Sequence, residues 1–86
     1  MHPPPEPDPN NLEPPVGVVL GWVWAEYLQI TGHFAMVGRH GANMRSAPRL
    51  DAEKIGQVQW GFMVTLVGLT VNGYAPIFIY LADVAN

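Results

Sequence analysis

Two long apolar blocks, residues 16–38 and 55–82, are separated by a polar link over residues 39–54. As a helix, the first block would run roughly 35 Å, enough to cross a hydrocarbon core of about 30 Å with some tilt. The second carries no charged side chain over its whole length. The pattern predicts an all-α fold, a two-helix transmembrane hairpin. An extended proline-rich arm (1–15) precedes it and a short tail (83–86) follows.

Composition supports the same expectation. Charged residues make up 13% of the chain, about half the share usual in soluble domains. With no cysteine, disulfides, thiolate metal sites and cysteine nucleophiles are excluded. Seven of the first fifteen residues are proline, which rules out a helix or sheet interior there and favours polyproline II. The arm is acidic and has no basic start, unlike a secretory or transit signal. All four basic residues, Arg39, Arg45, Arg49 and Lys54, fall in the link. The positive-inside rule then places the link on the cytoplasmic side and both termini in the periplasm or lumen. The expected location is a bacterial inner or photosynthetic membrane, or an organelle membrane. No basic stripe suits nucleic acid.

Helical spacing suggests packing faces. Gly17, Gly21 and Ala25 recur every four residues in the first block; Gly61, Thr65 and Gly68 line up in the second. Such small-residue stripes mark helix contacts in lipid. Trp22, Trp24, Trp60, Tyr74 and Tyr80 read as interfacial anchors. Glu26, Gln29 and His33 share a face of the first helix, with Asn72 in the second as a further polar member. A charged carboxylate at the bilayer centre costs about 2.5–3.5 kcal/mol, so Glu26 must be protonated or paired. The stripe reads as a buried network, a pigment or haem ligand through His33, or a proton relay. His40 is a second ligand candidate near the membrane surface. The three histidines lack the spacing of a structural zinc site.

The stretch Gly32-His33-Phe34-Ala35-Met36-Val37-Gly38 resembles the chlorophyll-binding motif of light-harvesting proteins over about seven residues. In that motif a glutamate and an arginine flank a similar Ala-Met pair. Here Leu28 and His33 stand in those places, so the ligand roles do not carry over. The hairpin is also similar in topology to the ring subunit of rotary ATP synthases, but its second block lacks the central carboxylate.

No catalytic constellation is present in the sequence. The expected function is a non-catalytic accessory subunit of a larger energy-transducing membrane complex, photosynthetic or respiratory. Its partners would be larger integral membrane subunits and the bilayer. Its candidate cofactors are chlorophyll or bacteriochlorophyll, carotenoid or haem, with bound lipid. The alternative is a homo-oligomeric pore or transport hairpin with Glu26 lining the conduit.

Overall fold

The chain is built from strands. A computed structural model describes residues 2–8, 10 and 13–85. The strands are β1 (Val18–Trp24), β2 (Leu28–Thr31), β3 (Phe34–Val37), β4 (Ala42–Arg45), β5 (Lys54–Val58), β6 (Met63–Leu66) and β7 (Tyr74–Tyr80). They form one antiparallel sheet in the order β2-β3-β6-β7-β1-β4-β5. At the β5 edge, Gln57 and Ala85 exchange two backbone hydrogen bonds, of 2.7 and 2.9 Å.

The strand pattern is clearest in the central pair. β1 and β7 match along seven residue pairs, from Val18 opposite Tyr80 to Trp24 opposite Tyr74. Both are rich in β-branched and aromatic residues, which fit a pleated surface. Val19, Gly21 and Val23 alternate inward on β1, as do Ala75, Ile77 and Ile79 on β7. The buried cluster draws on every strand, including Leu28 and Val58 at the two sheet edges. In a flat sheet those edges would lie about 29 Å apart, six gaps of about 4.8 Å. The sheet therefore curls until its inner face covers itself. Gly21 allows the closest approach inside this curl: a Cβ there would stand 2.2 Å from Cγ of Met44.

These findings overturn the helical hairpin. Among the described residues the only helical segments are two three-residue 3-10 turns, Ala25–Tyr27 and Leu81–Asp83. No helix is long and apolar enough to cross a membrane. The longest dimension of the molecule is 31 Å, shorter than one expected span. The first block is cut by the Ala25–Tyr27 turn and by the Gly32-His33 hairpin turn, and it yields three strands. The second is cut near Gly61 and at Asn72-Gly73, and it yields three more. With the helices go the integral membrane location and the cytoplasmic placing of the link. The accessory membrane subunit of a photosynthetic or respiratory complex and the helical pore fall with them.

The physical cause of the misreading is double-sided burial. All of β7 except Tyr80 is buried, so its sequence reads as a continuous apolar run instead of an alternating one. Pro76 is tolerated in this inner strand because of its position. Its carbonyl accepts from Val67 N at 3.0 Å, one residue beyond the end of β6. The missing N–H therefore falls at the last rung of the ladder, which keeps one of its two hydrogen bonds.

Met44 is fully buried and lies over Gly21. Met44→Ala is expected to lower stability by about 2–5 kcal/mol, read as a shift of the urea midpoint. Far-UV circular dichroism of the unmodified chain is expected to show a β-sheet spectrum without the helical double minimum.

Candidate functional site

The Asn72-Gly73 turn sets up the most developed surface feature. Val71 and Tyr74 exchange backbone hydrogen bonds of 2.8 and 2.9 Å across it. Asn72 and Gly73 hold φ of 53° and 82°, the left-handed pair of a type I′ hairpin turn. The turn brings Gly73 against the indole of Trp24, where a Cβ would stand 2.4 Å from Cζ3. It also places Tyr74 beside Trp24, with ring centroids 5.1 Å apart and an interplanar angle of 72°. Such edge-to-face pairs contribute about 0.5–1.5 kcal/mol beyond area burial. The indole Nε1–H donates to Oε2 of Glu26 at 3.1 Å, which fixes the ring from its polar end.

This aromatic pair floors a groove of about 700 Å³, within the size range of small-ligand sites. One wall is the 3-10 turn, through Tyr27. The other is the loop between β4 and β5, through Pro48, Arg49, Leu50 and Asp51. That loop is pinned at three points. Arg45 Nη1 donates to the Ala52 carbonyl at 3.1 Å. Asn72 Nδ2 donates to the Pro48 carbonyl at 3.2 Å. Ser46 N donates to the Glu53 carbonyl at 2.9 Å. Arg49 Nε lies 3.4 Å from Asp51 Oδ1, with both side chains well exposed, so the pair adds little stability. A guanidinium carries five N–H donors. Arg45 and Arg49 therefore keep donors for a ligand, and the groove's charged lining (two arginines, one aspartate) is net positive.

The structure brings together three residues singled out in the sequence, Trp24, Asn72 and Tyr74, at the groove; Glu26, Gln29 and His40 border a separate hollow, and the others lie apart. Glu26 is exposed in the 3-10 turn and Gln29 is exposed on β2. His33 sits in the β2–β3 turn, with Nδ1 3.6 Å from Glu6 Oε1. His40 is exposed beyond the other end of β3, beside a shallow hollow lined by Glu26 and Tyr27. The helical spacing that aligned Glu26, Gln29 and His33 has no helix to act on. Trp22 lies half-buried on the outward face of β1, Tyr80 is exposed at the end of β7, and Trp60 is exposed in the β5–β6 connection. The small residues are equally scattered. Gly17 accepts from Leu81 N at 2.8 Å. Ala25 opens the 3-10 turn, Gly61 donates to the Val37 carbonyl, and Gly68 follows β6. Among the described residues no three histidine or acidic side chains converge as metal ligands would.

Sequence reading missed Tyr27, Arg45, Arg49 and Leu50 as site residues. In the sequence Arg45 and Arg49 carry only an orientation signal. The Asn-Gly pair between apolar runs was the available clue to the hairpin that builds the site. No family model, curated protein or solved structure matches this chain.

Gly73→Ala is expected to destabilise the fold by about 1–3 kcal/mol, because alanine is strained at this φ and collides with Trp24. Chemical denaturation followed by tryptophan fluorescence measures the loss.

Proposed function

We propose that the chain is a non-catalytic recognition module whose groove takes an extended, acidic peptide segment. The carrying observation is the Trp24–Tyr74 ring pair lining one groove with Arg45 at the end of β4 and Arg49 in the loop that follows it. Flat aromatic surfaces flanked by a pinned loop suit pyrrolidine or aromatic side chains, as in grooves that bind polyproline II segments. Arginine donors suit carboxylates, because the guanidinium fork matches their geometry. Asn72 and Asn43 at the rim supply neutral donors and acceptors of the kind a peptide backbone requires. No serine, threonine or lysine lines the groove, so the lining supports binding over acyl transfer through such a nucleophile.

A titration followed by amide NMR tests this reading. A short peptide alternating proline and glutamate is expected to shift resonances of Trp24, Tyr74 and the β4–β5 loop. The same peptide with lysine in place of glutamate is expected not to bind. Arg49→Glu, at an exposed position, is expected to weaken the acidic peptide about tenfold, the loss of one charge-assisted hydrogen bond. Equal response to both peptides, or no response in the groove, would refute the assignment.

A further inference from the structure

Thr65 is the one polar residue in the buried set of described residues, 2% exposed at the centre of β6. It points to the outer face of the sheet, opposite Phe34 on β3 and Phe78 on β7. Valine would fill the same space without a hydroxyl that must be satisfied. An unpaired hydroxyl at such a site is costly. The threonine is satisfied by the N-terminal arm: its Oγ1–H donates to the carbonyl of Pro4. Pro4 is itself buried, and Pro3 and Pro7 are half-buried. Phe78 also points outward, directly beside Thr65, and is 0% exposed, so something besides the inner core covers it. Glu6 then approaches His33, and Glu6 and Pro7 border a hollow of about 460 Å³ with His33 and Leu66.

The match of donor to acceptor follows from proline chemistry. Residues 3–5 are all proline and have no N–H, so they can offer a partner only carbonyl oxygens. The seat supplies a hydroxyl donor at the one place where a carbonyl points in. A proline run is already extended, so docking costs it little conformational entropy.

We infer that this outer face is a binding site for an extended proline-rich segment, filled in cis by the chain's own arm and in trans by the arm of a second copy. Thr65 and His33 belong to the body of the molecule, whereas Pro4 and Glu6 belong to the arm. A neighbour's arm therefore makes the same contacts without any new interface. Reciprocal exchange gives a closed two-fold dimer. Asn10 N donates to Asp8 Oδ1 at 2.9 Å, and both residues are exposed, so release of the Pro4–Thr65 contact is what frees the arm to reach a neighbour. The exposed Glu6–His33 pair contributes little, so Pro4 and Thr65 hold the seat. A short tether gives the cis arm an effective concentration of roughly millimolar. Exchange therefore grows as the protein concentration nears that range.

The absence of cysteine makes a cross-linking test clean. Full-length Glu6→Cys chains are mixed with full-length His33→Cys chains over a range of concentrations. After mild oxidation, non-reducing mass spectrometry counts the heterodimer. A control mixture pairs Glu6→Cys with Gln59→Cys, an exposed position in the β5–β6 connection that lines neither the groove nor the arm's seat. The first mixture is expected to give about tenfold more heterodimer than the control, rising with concentration. Adding Thr65→Val to both chains is expected to lower that excess about fivefold, the effect of one neutral hydrogen bond. Equal yields from the two mixtures at every concentration would overturn the exchange, whether or not a doubly substituted chain closes on itself. An excess indifferent to Thr65→Val would overturn the assigned seat. Neither readout involves the groove peptide, so the two proposals stand or fall separately.

Discussion

The β1–β7 ladder is the constraint on which the rest of the molecule depends. It is seven pairs long, lies inside the sheet order, and carries apolar side chains on both faces. Its inner side chains, Val23, Ala75, Ile77 and Ile79, are fully buried and form the middle of the core. β6 and β4 add to its two sides, and the remaining strands add to those. A chain of 86 residues with no disulfide has little surface to hide, and small domains of this kind are marginally stable. Curling one sheet around a single apolar cluster lets a single layer bury its own interior.

The outer face of the same ladder organises both binding surfaces. Trp24 and Tyr74 form the pair at one end and floor the groove. Phe78, two pairs from the other end, lies beside Thr65, which donates to the arm's Pro4 carbonyl. Pro76 and Trp22 stand between them. The outer face is thus an apolar strip with the Pro4 seat beside one end and a groove bearing Arg45 and Arg49 at the other. Both regions suit the same kind of chain, an extended segment rich in proline and acid, and the arm itself has that composition.

Parts of this arrangement are legible in the residues. The proline run of the arm excludes regular helix and sheet interior, and the structure keeps it outside the strands. Asn72-Gly73 between apolar runs specifies a tight hairpin, because asparagine and glycine accept left-handed backbone at least cost. The alternation of β1 is also visible, with Val19, Gly21 and Val23 on one face and Leu20, Trp22 and Trp24 on the other. Other parts are hidden. β7 reads as a helix-length apolar run because both of its faces are covered. Arg45 and Arg49 become site residues only when β4 pairs with β1 and the loop after it folds toward Trp24. Thr65 gives no local sign that its hydroxyl meets a carbonyl sixty-one positions away.

By itself, the sequence determined which stretches carry the apolar surface, where the chain must turn at Asn72-Gly73, and that no cysteine chemistry takes part. The tertiary structure alone decided what those stretches meet when they leave water. The hydrophobic effect is non-directional and scales with apolar area. An apolar run therefore registers the same preference for lipid, for a helical partner or for the inside of a curled sheet. Long-range pairing of β1 with β7, and the cover that the arm places over β6, resolve that degeneracy. Both depend on contacts between residues far apart in the chain, which no local window of sequence contains.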